Sequence, residues 1–581
     1  MLERHILQSF KKPAQQLIPM PKKEYFEEII RKIKKEKLGK DRLSRLKVRL
    51  CKKHGLVKPP TDIEILLNAD EKDAAKIKKY LQTKPVRTAS GVSVVAIMTK
   101  PIKCPHGACL MCSSMVEEGI PQSYTGKEPA TRRAIRNLFD PYLQVFNRLE
   151  QYAVSGHSFD KIELIVMGGT FPSFPKKYRD EFTAYAFKAM NDFSRVFFDG
   201  FKFNFAKFKK FFELPGDVGD PERTKRIQQK LLKQKNKQKT SLKKEQNYND
   251  LKSKIKCIGL TIETRSDYGK LKHGNGMLRL GCTRVELGIQ SVYDEALKRI
   301  KRGHTVKDNI DSIRELKDLG FKLNFHYMPG LPGISPRKDM KGMLQLFEDE
   351  NYRPDMLKIY PCMVVKHSKL YNEWKKGRFK PLTTRKAALM IAEFKQYVPP
   401  YCRIMRVQRD IPTYATEAGV DMTNLRQLIQ QIMEEEEIGC RCIRCREIGR
   451  QKKIPKGKGE INVMHYGASR GNEFFISAEK GGCILGFCRL RFPYEFLRKE
   501  ITESSALVRE LHVYGPAVVI GKKGKKAVQH TGVGKALLKK AEEICRMYYK
   551  DKLVVISGVG ARGYYRKLGY RQEGHYMTKR I

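Results

Sequence analysis

The spacing of apolar residues changes along the chain and predicts two kinds of structure. In residues 1–84, apolar side chains recur three or four positions apart, which predicts helices that each bury one face; examples are Ile29, Ile30, Ile33, Leu43, Leu46 and Leu50. From about residue 90, short and almost continuous apolar runs alternate with longer mixed segments; the runs are Val94–Met98, Ile162–Met167, Ile258–Ile262, Arg284–Ile289, Phe321–Tyr327, Leu357–Tyr360 and Ile404–Val407. Such runs are typical of strands covered on both faces, so we predict an α/β fold with a parallel sheet or partial barrel.

Two further regions depart from this repeat. The interval 190–256 is too long for one crossover helix, and its segment 223–244 carries ten Lys or Arg and no acidic residue. This predicts a basic insertion, either a solvated charge run or a nucleic-acid contact. After a connector at 410–458, a smaller α/β unit is indicated by strand-like runs at Ile484–Leu490, Leu507–Val513 and Leu553–Ser557. We therefore expect four regions: 1–84, 85–409, 410–458 and 459–581.

Composition adds a prediction about the binding partner. The 581 residues include 116 Lys and Arg against 63 Asp and Glu, a formal net charge of +53, which favours a polyanionic partner. The longest uncharged apolar run, 90–99, is far shorter than the roughly 20 residues of a membrane span. The first residues, MLERHILQSFKK, lack the apolar core of a signal peptide. We therefore expect a cytoplasmic protein without a membrane partner.

The first chemical motif is a cysteine loop after the first strand of the repeat. Cys104, Cys109 and Cys112 follow the spacing C-x4-C-x2-C. Three thiolates on one loop can hold three irons of a [4Fe-4S] cluster and leave the fourth iron open for a chelating substrate. Together with His106, the same thiolates could equally hold zinc.

The next strand runs into a Gly-Gly turn, where a ligand can approach the backbone closely. A cysteine loop after one strand and a Gly-Gly turn after the next resemble the radical S-adenosylmethionine (SAM) enzymes, whose common spacing is C-x3-C-x2-C. The resemblance implies that the open iron chelates SAM and that the turn binds its amino group. Polar residues, including Glu286 and His326, recur at the ends of later strands, as they do at the mouth of a barrel enzyme. The SAM-binding candidates are Gly168, Gly169, Thr170, Glu263 and Gln290.

The second motif is a glycine-rich turn, QHTGVG at 529–534, before a predicted helix at 535–548. Bare backbone N–H groups at a helix N-terminus can hold a pyrophosphate. With the strands on either side, the order resembles the GCN5-related acetyltransferases, which implies an acetyl-CoA site with a tyrosine near the sulfur. The implied acetyl-CoA-binding residues in this domain are Glu510, Leu511, His512, Val513, Gln529, Gly532, Val533, Gly534 and Tyr564. Tyr564 and Tyr565 are also catalytic candidates, with simple packing as the alternative.

A third motif lies outside both α/β patterns. Cys440, Cys442 and Cys445 fall within six residues, which predicts a structural zinc site completed by a fourth ligand from elsewhere. Candidates for that ligand are His465, Cys402 and Cys483. Free surface thiols are the alternative interpretation.

Together these segments resemble the family of the Elongator catalytic subunit, in an archaeal-like single-chain form. The resemblance covers nearly everything after about residue 84; it rests on PVRTASGVSVVAIMTKP (85–101), SYTG (123–126), MGGTF (167–171), GCTRVELGIQS (281–291), RGHTV (302–306), RVQRDIP (406–412), RELHVYG (509–515) and ISGVG (556–560). It implies a partial radical SAM barrel, a zinc linker and an acetyltransferase domain. It also implies that Lys161 contacts acetyl-CoA from the barrel. This chain has Ser113-Ser114-Met115 where relatives usually continue Cys112 with Pro-Gly-Gly.

The activity that the resemblance implies is attachment of a carboxymethyl group to carbon 5 of the wobble uridine in tRNA. We therefore expect an enzyme that uses a [4Fe-4S] cluster, SAM, acetyl-CoA and Zn²⁺, with Cys104, Cys109 and Cys112 as cluster ligands. It would act as a single chain, with accessory subunits, or as a homodimer. Two alternatives stand beside this: a protein lysine acetyltransferase that uses the C-terminal domain alone, and a non-catalytic tRNA-binding scaffold with zinc at both cysteine groups.

Overall fold

The computed structural model describes residues 23–36, 38–84, 88, 90–217, 220–451, 455, 459–515 and 532–581. The described chain forms two compact units. The first comprises the N-terminal residues up to Pro85 together with Glu150–His157 and Lys202–Ile227, and the second comprises Val86–Leu149, Ser158–Phe201 and Gln228–Ile581.

The helices are α1 (Lys23–Glu36), α2 (Lys40–Lys53), α3 (Asp62–Asn68), α4 (Glu71–Leu81), α5 (Pro129–Arg136), α6 (Pro141–Val154), α7 (Lys176–Phe197), α8 (Phe205–Phe211), α9 (Pro221–Asn236), α10 (Leu242–Leu251), α11 (Leu271–Leu280), α12 (Asp294–Arg299), α13 (Val306–Asp318), α14 (Pro336–Glu348), α15 (Lys369–Lys375), α16 (Thr384–Lys395), α17 (Leu425–Glu435), α18 (Ile443–Arg446), α19 (Val533–Met547) and α20 (Arg562–Arg566).

The strands are β1 (Ser93–Met98), β2 (Lys161–Met167), β3 (Phe198–Asp199), β4 (Lys202–Phe203), β5 (Lys256–Thr264), β6 (Arg284–Gln290), β7 (Lys322–Tyr327), β8 (Met356–Ile359), β9 (Arg403–Arg406), β10 (Glu460–Ala468), β11 (Gly471–Lys480), β12 (Cys483–Phe492), β13 (Ser505–Val513), β14 (Lys552–Val555), β15 (Arg571–Glu573) and β16 (Tyr576–Arg580).

The first unit is helical, as the apolar spacing predicts. The apolar residues of α1 and α2 that recur at helical spacing are all buried, because they share one face of each helix. Helix α3 begins at a capping box in which Thr61 and Glu64 each accept the other's backbone N–H. Arg223 of α9 pairs with Glu150 at 2.8 Å, a buried ion pair inside this unit.

The second unit contains the predicted parallel sheet. All seven runs expected in the repeat form strands, in the order β1-β2-β5-β6-β7-β8-β9, and every neighbouring pair is parallel. This open half-barrel confirms the predicted partial barrel. Its strands point their carboxyl ends to one side, here called the mouth, and loops from several strands meet there.

The same unit contains a second, mixed sheet with the order β10-β11-β12-β13-β14-β16-β15. Helix α19 packs on it through Leu537, Leu538 and Ala541, which belong to the core of this sheet. Strands β13 and β14 are parallel but pair only from Ser505 to Val508 on β13. Beyond that point β13 continues to Val513, whereas β14 ends at Val555; the space beside this part of β13 is here called the cleft between β13 and β14.

The second sheet packs against the amino ends of the half-barrel strands. Arg509 of β13 donates to the carbonyl of Phe321, just before β7, at 2.7 Å, and Tyr576 of β16 donates to the carbonyl of Leu319 at 2.9 Å. Gly558 lies so close to the carbonyl of Ile258 that a Cβ would stand 2.0 Å from that oxygen. The two sheets therefore share a close interface at the end of the barrel opposite its mouth.

None of the helices formed by the described residues combines the length and apolar character needed to cross a bilayer.

Candidate active site

The cysteine loop lies at the mouth, directly after β1. Arg302 donates to Cys109 Sγ at 3.4 Å, and His106 Nε2 lies 3.2 Å from the same sulfur. Burial, helped by Arg265 and Arg302, lowers the pKa of His106 to about 4, so this histidine is neutral at neutral pH.

The other two thiols are held by hydrogen bonds from neighbouring segments. The backbone N–H of Ser123 donates to Cys112 Sγ at 3.1 Å, and Thr170 Oγ1 donates to Cys104 Sγ at 3.6 Å. Burial raises the pKa of both the Cys104 and Cys112 thiols. Donors that point at sulfur stabilise thiolate ligands and fix their direction.

The spacing of the sulfurs differs between the two cysteine groups. Within the described ranges, Cys440, Cys442 and Cys445 place their sulfurs within 4.8 Å of one another, whereas the three sulfurs of the cysteine loop are not gathered that closely. Sulfurs bound to one zinc ion at about 2.3 Å lie roughly 4 Å apart. The connector group therefore has single-ion spacing, which the cysteine loop lacks.

The turn after β2 has the backbone that the glycines predict. Gly168 and Gly169 have φ of +104° and +61°, in the region that favours glycine. A Cβ on Gly168 would lie 2.6 Å from Thr99 Oγ1. Glycine is therefore required at Gly168 both by the backbone conformation and by the close packing of Thr99.

Polar atoms in the mouth lack partners. Gln290 has φ of +65°, a strained conformation for a residue with a side chain. Its Oε1, Arg265 Nη1 and Arg302 Nε are buried, and none has a hydrogen-bond partner among the residues that the structure describes. Buried polar atoms are normally satisfied, so these three favour a bound polar ligand with both donor and acceptor groups.

A polar cluster lies just below the mouth, inside the barrel. Glu263 accepts from Tyr124 at 3.2 Å and lies 3.4 Å from Lys358 Nζ. Glu286 contacts the same ammonium and His326. The carboxylates and histidine have metal-ligand spacing, but the ammonium of Lys358 already supplies a positive charge between the two carboxylates.

Sequence reasoning named Glu263, Glu286, Gln290 and His326 from their strand-end positions. It missed Tyr124, Arg302 and Lys358. Tyr124 and Arg302 lie in segments that carry the family resemblance, which is the only signal that could have drawn attention to them.

The acetyl-CoA candidates are brought together at the cleft between β13 and β14. Gly532 has φ of +94° at the start of α19, and a Cβ on Gly534 would lie 3.0 Å from Tyr564 Oη and 3.5 Å from Val513 Cγ2. Val533 is the first residue of α19, as the predicted cradle requires. Gln529 lies outside the described residues.

The two tyrosines have different surroundings. Tyr564 is 42% exposed beside the cradle, whereas Tyr565 is buried in the core of the second sheet. The structure therefore places only Tyr564 at the cleft and favours the packing interpretation for Tyr565. Leu511 packs against the same core.

Glu510 and His512 alternate with Leu511 on β13 and face the barrel. Glu510 lies 3.8 Å from Lys322, the first residue of β7, and His512 Nε2 lies 3.3 Å from the carbonyl of Ser90, ahead of β1. Lys161 is the first residue of β2, and burial lowers its pKa. Glu510, His512 and Lys161 therefore all lie at the amino ends of the barrel strands.

The connector cysteines lie on and beside α18. Lys395 donates to Cys445 Sγ at 3.4 Å, and contacts with Cys440 and Cys445 hold the pKa of Cys442 well below its usual range. Of the candidate fourth ligands, His465 pairs with Asn472 and Cys483 donates to Gly481. Cys402 is the candidate nearest in structure, because its carbonyl accepts the N–H of Ile443.

Comparison with known proteins agrees with this arrangement. Family models match the ELP3 N-terminal domain at 22–89, the radical SAM superfamily at 101–347, the radical SAM C-terminal domain at 354–435 and the acetyltransferase (GNAT) family at 446–570.

Relatives match over almost the whole chain. The chain is 40% identical to "tRNA uridine(34) acetyltransferase" of Methanocaldococcus infernus over 96% of its own length and 98% of the relative's. It is 38% identical to "Elongator complex protein 3" of Homo sapiens, over 94% of each. A solved structure of the Methanocaldococcus infernus Elp3 with an N-terminal deletion matches with a TM-score of 0.69 and 38% identity, covering 85% of this chain and all of that one. The chain therefore belongs to the Elongator complex protein 3 (Elp3) family, whose members join a radical SAM barrel to a GNAT domain.

Proposed function

We propose that this protein attaches a carboxymethyl group, derived from acetyl-CoA, to carbon 5 of the wobble uridine of tRNA. The observation that carries the proposal is the direct contact between the acetyltransferase sheet and the barrel within one unit. Glu510, on the strand assigned to acetyl-CoA, reaches Lys322 at the foot of the barrel, and the polar interior continues from there towards the cysteine loop. The near-complete match to a relative named for tRNA uridine(34) supplies the substrate.

The mouth fits a [4Fe-4S] cluster and SAM. Cys104, Cys109 and Cys112 would hold the cluster, because one loop places the three thiols at the mouth and each sulfur accepts a hydrogen bond from a neighbouring segment. Gln290 would contact SAM through its unpartnered Oε1 acceptor, and the Gly168-Gly169 turn would contact it through its backbone. When bound, the cluster and SAM would supply the radical chemistry that activates the acetyl methyl group.

The cleft in the second sheet fits acetyl-CoA. Its pyrophosphate would lie at the N-terminus of α19, where Gly532 and Gly534 leave the backbone N–H groups uncovered. The thioester would lie beside β13, with Tyr564 close to the sulfur. Lys161 would contact the same ligand from the barrel.

The connector fits zinc. Cys440, Cys442 and Cys445 supply three thiolates at single-ion spacing. Cys402 is the fourth ligand that we assign, because it is buried and its backbone carbonyl accepts the N–H of Ile443, between Cys442 and Cys445. This zinc would be structural, since a site with four protein ligands has no open position.

The N-terminal unit would bind tRNA through its charge. Arg42, Arg45 and Arg49 are exposed on α2, opposite its buried apolar face. We propose that the regions 1–84, 85–409, 410–458 and 459–581 act as the tRNA-binding, radical SAM, zinc and acetyltransferase domains of one chain in the cytoplasm, without a required accessory subunit or second copy.

The first rival, protein lysine acetylation, fits the cleft less well. An acceptor lysine needs access to the thioester, yet the side of β13 that carries Glu510 and His512 is covered by the barrel. The second rival, a scaffold with zinc at both cysteine groups, does not account for the wide spacing of the loop sulfurs.

Isotope tracing tests the proposal. The full-length protein, reconstituted anaerobically, is incubated with reductant, SAM, tRNA and acetyl-CoA labelled at both acetyl carbons. We expect 5-carboxymethyluridine that carries both labelled carbons. We also expect the amount of 5′-deoxyadenosine to rise with the amount of this product. Label from the SAM methyl group would indicate methyl transfer, label on protein lysines alone would favour the first rival, and iron-free protein that cannot be reconstituted would favour the second.

A further inference from the structure

Glu286 is the centre of the polar cluster inside the barrel. It is 1% exposed, and both of its carboxylate oxygens are occupied. Oε1 accepts from Asn324 at 3.1 Å and lies 3.6 Å from the guanidinium of Arg284. Oε2 contacts Lys358 and lies 2.9 Å from His326 Nε2. Although burial raises the pKa of Glu286, Lys358 and His326 outweigh it and hold the pKa well below its usual range.

This contact fixes the tautomer of His326. An ionised carboxylate only accepts hydrogen bonds, so Nε2 carries the proton and donates it to Glu286. Nδ1 is then left with a lone pair. Among the residues that the structure describes, Nδ1 has no hydrogen-bond partner, and 15% of the side chain remains accessible inside the barrel.

The surroundings keep the ring neutral. Burial and the ammonium of Lys358 lower the pKa of His326, against the opposite effect of Glu286 and Glu263. The ring of Tyr360 packs edge-on against the imidazole at 5.3 Å and fixes its plane. A neutral imidazole oriented by a carboxylate and presenting a free lone pair has the geometry of a general base.

The position of His326 connects this base to the proposed reaction. It is the penultimate residue of β7, just below the mouth where the cysteine loop lies. The acetyl group bound beside β13 would enter the barrel to reach the radical chemistry at the mouth, and its thioester carbonyl carbon then lies one carbon–carbon bond, about 1.5 Å, from the reacting methyl carbon. The water that attacks this carbon therefore needs a base in the barrel, where Glu263 is already paired with Lys358 and Tyr124.

We infer that His326, oriented by Glu286, is the general base that hydrolyses the thioester after the acetyl group has joined the uridine; this inference rests on the proposed function. Nδ1 takes a proton from water while the water oxygen bonds to the carbonyl carbon. The carbon–sulfur bond then breaks, and the imidazolium gives the proton to the leaving sulfur of CoA. The products are free CoA and the carboxymethyl group, and no oxidant or reductant is needed for this step.

The test uses His326→Gln in the full chain, because glutamine can still donate to Glu286 but has no basic nitrogen. We expect formation of 5′-deoxyadenosine to stay within about twofold of the parent, while CoA release falls on the order of 100-fold and tRNA carrying a CoA thioester accumulates in the mass spectrum. His575→Gln is the matched control, since His575 lies in the turn between β15 and β16, outside both proposed sites. Its CoA release should equal that of the parent.

A second measurement separates hydrolysis from the radical step. The accumulated tRNA thioester is purified and given to cluster-free parent protein and to cluster-free His326→Gln. The parent should release CoA and the variant should not. His326→Asn, a shorter replacement, provides a second variant whose folding is checked by circular dichroism.

Three results would overturn the inference. Release of CoA by His326→Gln at the parental rate would exclude His326 as the base. Loss of 5′-deoxyadenosine in both folded variants would show that His326 positions other groups instead. If His512→Gln failed to hydrolyse the purified thioester while His326→Gln still did so, the base would lie on β13 and not on β7. Failure of the proposed function is distinguishable, because it would show in the parent protein as the absence of any tRNA product labelled from acetyl-CoA.

Discussion

Asp355, which precedes β8 of the barrel, binds Arg509 of β13 through both carboxylate oxygens, at 2.8 and 2.6 Å. Both side chains are buried, and Arg489 and Glu473 complete the charges around them. A buried ion pair is specific in geometry even where its net stabilisation is small. This pair fixes the acetyl-CoA strand against the foot of the barrel, so the distance between the two proposed sites does not depend on a flexible linker.

Breaking this pair should destabilise the protein strongly. Asp355→Asn leaves the buried Arg509 guanidinium with Glu473 as its remaining carboxylate partner and removes the carboxylate beside Arg489, so we expect a loss of about 3 kcal/mol in the free energy of unfolding. Asp551→Asn, which breaks an ion pair between the exposed Asp551 and Arg580, is the control and should change stability little. Denaturant unfolding followed by circular dichroism measures both. Equal midpoints for the two variants would contradict the role of Asp355.

The cysteine loop can be tested by iron content. Cys109→Ala removes one of three cluster ligands, so the reconstituted variant should hold much less iron and sulfide than the parent and form no 5′-deoxyadenosine. Cys51→Ala is the control, because Cys51 lies in α2 of the other unit and donates only to a backbone carbonyl. Full iron content and SAM cleavage in Cys109→Ala would show that the loop is not the radical site.

The acetyl-CoA cradle can be tested by binding alone. Gly534→Leu places side-chain atoms where a Cβ already stands 3.0 Å from Tyr564 Oη, and so blocks the N-terminus of α19. Isothermal titration should show acetyl-CoA affinity at least about tenfold weaker, which corresponds to about 1.4 kcal/mol. Gly39→Ala, where a Cβ meets no atom within 4 Å, is the matched control. Unchanged affinity in Gly534→Leu would place the ligand elsewhere.

The salt dependence of tRNA binding tests the N-terminal surface. If the exposed Arg42, Arg45 and Arg49 each contact a phosphate, replacing all three by Gln should reduce the slope of log affinity against log salt by roughly 2–3. Fluorescence anisotropy with labelled tRNA between about 50 and 200 mM salt measures this slope.

The control for that experiment replaces three exposed basic residues of the acetyltransferase part by Gln: Lys539, Arg546 and Lys567. It removes the same charge from the chain. An equal change of slope in both triple variants would mean that total charge, and not the α2 surface, determines tRNA affinity.

A buried carboxyl group below the mouth predicts a pH dependence of stability. Asp339 accepts the backbone N–H of Gly330 at 2.6 Å, and burial raises its pKa to about 7. Because an unfolded aspartate titrates near 3.9, the folded state binds the extra proton between about pH 4 and 7, so stability falls as pH rises through this window.

Asp339→Asn should remove that dependence while keeping an oxygen for Gly330. Between pH 5 and 8, the parent should lose stability relative to the variant by a few kcal/mol, since one pKa unit corresponds to about 1.4 kcal/mol. Asp41→Asn, at an exposed site on α2, should follow the parent. The thermal unfolding midpoint of each protein is measured at both pH values. An equal change of midpoint with pH in the parent and in Asp339→Asn would contradict the raised pKa.

The sequence by itself determined the elements and the motifs. All seven strands of the half-barrel could be predicted, because a strand buried on both faces must be apolar almost throughout. The Gly-Gly turn after β2 and the turn before α19 could also be located, because positive φ and bare N–H groups require glycine at those positions.

Only the tertiary structure decided which end of the barrel the acetyltransferase sheet covers and how Glu286, His326 and Lys358 meet. These residues lie on three different strands, and a lone Glu, His or Lys in a sequence is as compatible with a solvated surface as with a buried pair. The role of a charged side chain can be assigned only when burial has removed the water that hydrates it and a specific partner has taken the place of that water. That exchange depends on contacts between distant segments, which local apolar spacing does not encode.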